Sequence, residues 1–86
     1  MKTLKEVSQI VGMSRRVIQE YEKAGLAETP VSRNKYGYLL YDQSHIERLW
    51  QIRFYRELGY EKKQIQETLL KVSVFLSVIR SPEMDF

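Results

Sequence analysis

Arg15, Arg16, Gln19 and Lys23, in the stretch MSRRVIQEYEKAGL at residues 13–26, are spaced to meet on one side of a helix. Their chemistry is the recognition of polyanions. A guanidinium grips phosphate, or the O6 and N7 of guanine, through two parallel bonds, and a glutamine amide matches the N6 and N7 of adenine. Cations in a first helical turn oppose the backbone dipole at about 0.3–1 kcal/mol each, and a phosphate at that helix start reverses the sign. A second basic cluster, Ser32-Arg33-Asn34-Lys35, precedes Tyr36-Gly37-Tyr38. Other chemistry has little to work with. His45 is the lone histidine and cysteine is absent, so no metal set forms and thiol chemistry is excluded. Glu20, Glu22, Glu47 and Glu57 alternate with Lys and Arg along helices, as solvated faces do, and are not paired for acid-base work. With no nucleophile beside a base and no glycine-rich phosphate loop, the sequence predicts a protein that is not an enzyme and needs no cofactor or metal.

These side chains must be positioned by short elements. At 86 residues the chain makes one small domain, and 43% hydrophobic with 29% charged residues is ordinary for a globular fold. A net charge of +3 permits an anionic partner. The N-terminus is too interrupted by charge for a signal peptide, and the apolar run at 72–79 is far too short to span a bilayer; a cytoplasmic location with no membrane partner is expected. Thr3-Leu4-Lys5-Glu6 is a capping box that starts a helix with Leu4, Val7, Ile10 and Val11 inward, and Gly12 ends it. Ser14 caps a second helix reaching about Ala24, with Val17, Ile18, Tyr21 and Ala24 inward and Gly25 as its stop. So tight a connection forces a steep crossing, a helix-turn-helix. Residues 28–41 suit a small hairpin. Asp42 or Ser44 caps a third helix with Ile46, Leu49, Trp50, Arg53 and Phe54 along one side, closed by Gly59. The last helix begins near Glu61 or Lys62 and either continues to Arg80 or breaks near Leu70.

With these elements in place the chain resembles the DNA-binding domain of MerR-family bacterial transcription regulators. The residues that carry the resemblance are SRRVIQEYEKAGL, the Gly37-Tyr38-Leu39-Leu40-Tyr41-Asp42 run and ELGYEKKQI, across residues 3–70. The fold class it implies is mainly α, a winged helix-turn-helix with a small β-hairpin wing and a C-terminal helix pair. Residues 1–70 would form the DNA-binding domain and residues 71–86 a short helical tail. The function implied is sequence-specific binding of double-stranded DNA in transcription, through Ser14, Arg15, Arg16, Gln19, Tyr21 and Lys23 of the second helix and Arg33, Lys35 and Tyr38 of the wing. An architectural, excisionase-like DNA binder and a protein-interaction module on the same fold are the alternatives. Family members dimerise through a long C-terminal helix and act on promoters, so a homodimer through Leu69, Val72, Leu76 and Ile79 is expected, with RNA polymerase as a further partner. Residues 71–86 are too few for the usual dimer helix or an effector domain, which implies a truncated or a minimal regulator. The chain departs from the family pattern at Gln19, where arginine is common, at Glu20, where an aromatic is frequent, at Leu39, where arginine follows the wing tyrosine, and at Lys62, where leucine is common.

Overall fold

The computed structural model describes residues 1–80, with side chains through Val72. Helix α1 (Leu4–Val11) starts on Thr3. The Thr3 hydroxyl accepts from the Glu6 amide at 3.4 Å, and the Glu6 carboxylate accepts from the Thr3 amide at 3.1 Å. Two donors that a helix start leaves orphaned are thereby satisfied. The same Thr3 amide, followed by the Thr3 hydroxyl, holds the Glu6 carboxyl below its usual range. Val7 and Val11 face the core, and Gly12 ends the helix in the left-handed region at φ 70°. Arg53 reaches in from a later helix and donates to the Val11 carbonyl at 2.8 Å. Ile10, expected on the inner stripe, is half exposed, because the burial of Val7 and Val11 turns position 10 toward the rim.

Helix α2 (Arg15–Lys23) starts on Ser14, whose hydroxyl accepts from the Val17 amide at 3.2 Å. Ile18 and Tyr21 face the core. At its end the Leu26 amide bonds back to the Tyr21 carbonyl at 3.0 Å across Gly25, a closure that returns Leu26 to the core. Between α1 and α2, Met13 is buried and its carbonyl accepts from the Ser8 hydroxyl, so the sharp turn is pinned from inside.

Residues 32–40 form the wing. The Leu40 amide donates to the Ser32 carbonyl, and the Asn34 amide to the Tyr38 carbonyl, each at 2.9 Å. Regular pairing lies away from the expected hairpin. Strand β1 (Lys2–Thr3) pairs antiparallel with β2 (Leu40–Tyr41), with Lys2 opposite Tyr41 and Thr3 opposite Leu40; between the two arms of the wing there is a single bridge, Arg33 to Leu39. The wing tip satisfies its donors locally, since the Asn34 carboxamide oxygen accepts from the Tyr36 amide at 2.9 Å and the Tyr38 amide at 3.1 Å. The base of the wing is thereby laced to the start of α1.

Helix α3 (Gln43–Glu57) takes Asp42 as its cap. The Asp42 carboxylate accepts from the His45 amide at 3.0 Å and from the Ser44 hydroxyl at 2.7 Å, so Ser44 supports the cap and is not the cap itself. Ile46, Leu49 and Ile52 are buried, whereas Trp50 and Phe54 are 43% and 61% exposed. The buried line advances by threes and turns both aromatics outward, against the inward placement expected for them. Helix α4 (Lys62–Arg80) follows, with the Glu61 amide donating to the Gln64 side chain at 2.9 Å at its start. Its backbone continues past Leu70 without a break. Ile65 and Leu69 complete a core that also holds Val7, Val11, Ile18, Tyr41, Leu49 and Ile52.

Candidate nucleic-acid interface

Opposite its buried Ile18 and Tyr21, α2 presents Arg15, Arg16, Gln19 and Lys23 to solvent. Ser14 sits at the entry of this face with its hydroxyl engaged as the cap. Tyr21, placed by resemblance in the DNA-facing set, is 5% exposed; three residues beyond Ile18 it falls on the core side, and it supports the reading face without belonging to it. The Lys62 ammonium lies 5.7 Å above the centre of its ring.

Arg33, Lys35 and Tyr38 are all exposed on the wing. The Arg33 guanidinium donates to the Gly37 carbonyl at 2.6 Å, and the Lys35 ammonium stands 5.2 Å over the Tyr36 ring. Tyr36 and Tyr38 both point outward, while Tyr41 is enclosed.

The two basic clusters meet. A cleft of about 470 Å³ runs between the wing and the starts of α1 and α2, and its lining includes Lys5, Arg15, Arg33 and Tyr38. Three cations from three separate segments thus share one concavity. Among the described residues the ion pairs are Arg16–Glu20, His45–Asp42, Arg53–Glu57 and Lys62–Glu20, so none of the three cleft cations is matched by a carboxylate. Like charges gathered without counter-charges favour an anion between them.

One carboxylate interrupts the outer face of α2. Glu20 lies 3.6 Å from the Arg16 Nε and 3.8 Å from the Lys62 Nζ. Deeper in, the Tyr41 hydroxyl donates to Glu22 at 2.7 Å, which ties α2 to the foot of the wing. Burial pushes the Glu22 carboxyl up, against the opposing hydrogen bond from Tyr41, and burial beside that carboxylate pushes the Tyr41 phenol up as well. The Ser44 hydroxyl, the His45 amide and the His45 ring together hold Asp42 far below the usual carboxylate range. His45 is therefore absorbed in the α3 cap. Among the described residues no group of His, Cys, Asp and Glu could hold a metal ion, and no helix is long and apolar enough to cross a membrane.

Sequence reasoning missed Lys5 at the cleft and the partner of Lys62. Lys5 carries a local signal, as an exposed cation in the first turn of α1. What it faces is set by the β1–β2 pairing. Of the residues expected to form a dimer contact, Leu69 belongs to the core of its own chain and Val72 is half-buried; the side chains of Leu76 and Ile79 lie outside the described residues.

Residues 2–71 match the family of MerR HTH regulatory proteins. The chain belongs to the MerR family. A probable heavy metal-dependent transcriptional regulator of Haemophilus influenzae is 39% identical over 66 residues, covering 77% of this chain and 51% of that protein. The HTH-type transcriptional activator mta of Bacillus subtilis is 36% identical over 66 residues, covering 77% of this chain and 25% of that protein. Among solved structures, the N-terminal part of the Bacillus subtilis multidrug transporter activator superposes with a TM-score of 0.69 at 35% identity, over 80% of this chain and 64% of that one. The lead(II) complex of the regulator PbrR691 from Ralstonia metallidurans gives a TM-score of 0.72 at 26% identity, over 85% of this chain and 56% of that one. The chain spans about half or less of the length of these two curated relatives. The relatives are transcriptional regulators and not enzymes, and the fold is the winged helix-turn-helix of MerR DNA-binding domains, as the motifs implied.

Proposed function

We propose that this MerR-family chain is a sequence-specific double-stranded-DNA-binding transcriptional regulator, in which α2 enters the major groove and the wing lies along the sugar-phosphate backbone. The observation that carries the reading is the convergence of Lys5, Arg15 and Arg33 on one cleft beside the exposed face of α2. In this reading the cleft grips phosphate and fixes register, while Arg16 and Gln19, further along the helix, reach base edges. Lys35 and Tyr38 extend the backbone contact from the wing. A homodimer would present two copies of α2 to a palindromic site, and RNA polymerase at the same promoter is the further partner. A cytoplasmic location accompanies the role.

Selection of bound sites from a pool of randomised duplexes, followed by titration of the selected and a scrambled duplex at several salt concentrations, tests the reading. Arg15→Ala should weaken both duplexes alike and reduce the log-log salt slope by about 0.9 for each phosphate no longer neutralised. Arg16→Ala and Gln19→Ala should instead relax preference at particular base pairs. If no sequence is enriched and binding shows no salt dependence, the reading fails.

A further inference from the structure

We propose that Glu20 is a specificity-determining residue of α2, and that Lys62 acts through it: Lys62 anchors the Glu20 carboxylate, and Glu20 in turn orients the Arg16 guanidinium over the groove. The proposal rests on the DNA-binding reading given above and concerns how the same face selects its bases.

Three observations support it. Glu20 stands one helical turn beyond Arg16, with its carboxylate 3.6 Å from the Arg16 Nε and 3.8 Å from the Lys62 Nζ. The two carboxylate oxygens are divided between the two cations, Oε1 toward Arg16 and Oε2 toward Lys62, so neither displaces the other. The Lys62 ammonium also rests above the ring of Tyr21, a buried residue, which gives the outer end of the cluster a fixed support. A carboxylate alone on a face meant for phosphate is repelled by it. Held by Lys62, the same carboxylate keeps a counter-charge of its own and stays within reach of Arg16, whose side chain is 90% exposed with the pair in place, so that in the proposal Glu20 is what limits the directions the guanidinium takes. Restriction bears on selectivity because a bidentate contact to guanine needs the guanidinium plane aligned with the base edge, whereas attraction to phosphate does not. Glu20 and Lys62 lie against each other across α2 and α4.

The test measures discrimination, the ratio of affinities for the selected duplex and for the duplex changed at the base pair that Arg16→Ala identifies. In the wild-type protein one well-placed bidentate arginine gives a ratio of about 5 to 150. In E20Q the proposal expects that ratio to fall to within about 3-fold of the Arg16→Ala value, while affinity for a scrambled duplex rises because an anion has left the face. K62M should also lower the ratio. The charge-exchanged pair E20K/K62E separates positioning from a structural role. It restores an ion pair between α2 and α4 but sets a cation beside Arg16, so the ratio should stay low although thermal unfolding shows the fold retained. Full discrimination in E20Q, or its recovery in E20K/K62E, overturns the proposal. Failure of the wild-type protein to enrich any duplex overturns the DNA-binding reading itself, so the two failures are told apart.

Discussion

At the scale of single residues, two backbone positions and one cap make the strongest statements. Gly12 has φ +70° and a Cβ added there would lie 2.8 Å from the Arg53 Nη1; Gly25 has φ +80° with nothing within 4 Å. Alanine at either position bears the left-handed backbone penalty of about 1–2 kcal/mol. At position 12 it also crowds the Arg53 guanidinium, which must shift and thereby weakens its bond to the Val11 carbonyl. Urea unfolding should therefore show Gly12→Ala as the more destabilising of the two, with the gap closing in an Arg53→Ala background. Both glycines were legible in the sequence as helix stops. The need for glycine twice over at position 12 was not, because Arg53 arrives from 41 positions later in the chain and no local pattern announces it. Asp42 makes a prediction of a different kind. Its folded pKa is depressed by the Ser44 hydroxyl and the His45 amide and ring, from an ordinary value of 3.8, so its contribution to stability is present above that value and lost as pH falls below it. Glu22 has the opposite sign: burial raises it above 4.5, so the folded state holds the extra proton and the contribution declines as pH rises through the window just above that value. Asp42→Asn keeps an acceptor at the cap while removing the titration, and its unfolding free energy should change less with pH on the acid side than that of the wild-type protein.

At the scale of elements, capping residues were the most informative letters. Thr3-x-x-Glu6 and Ser14 set the starts of α1 and α2, and Gly59 the break before α4, since each satisfies or relieves backbone groups that a helix end leaves open. The wing was half legible. Its turn residues announced a reversal, but the partner of Leu40 and Tyr41 is the N-terminal Lys2–Thr3 segment, a pairing between distant segments that alternation alone does not encode. Trp50 and Phe54 were misplaced for a related reason: on a helix flanked by apolar residues on several sides, the inner face is chosen by what packs against it. The wing also carries a prediction. Asn34 does not line the cleft, yet its side chain holds the Tyr36 and Tyr38 amides, and the Arg33 guanidinium is tied to the Gly37 carbonyl at the same tip. Asn34→Ala should loosen the tip, speed amide exchange at Tyr36 and Tyr38, and weaken the selected and scrambled duplexes by the same factor. Loss of preference at one base pair would instead make the tip a base-reading arm. Arg33→Ala should share the uniform weakening, through the wing as well as through phosphate.

At the scale of the whole molecule, the proposed homodimer would bring two copies of α2 to one duplex. The sequence stripe Leu69, Val72, Leu76, Ile79 advances by three, four and three, the spacing of a coiled-coil seam. The structure divides it. Leu69 is absorbed by the chain's own core and Val72 is half-buried, while the α4 backbone continues helical to Arg80. The dimer contact we infer therefore rests on Leu76 and Ile79 in place of the full stripe. Leu69→Asp is for that reason a poor test, since it strikes the core. Leu76→Asp is the informative change. Sedimentation should show the wild-type protein passing from monomer to dimer as concentration rises and the variant remaining monomeric, with the thermal unfolding of residues 1–72 little altered. On DNA the consequence reaches beyond the dimer interface. Two linked domains on adjacent half-sites sum the phosphates they neutralise, so a monomeric variant should show about half the wild-type log-log salt slope on a palindromic duplex and equal affinity for that duplex and its isolated half-site. A variant that stays dimeric, or a wild-type protein that is monomeric at every concentration while retaining the full slope, would place the dimer contact elsewhere or remove it.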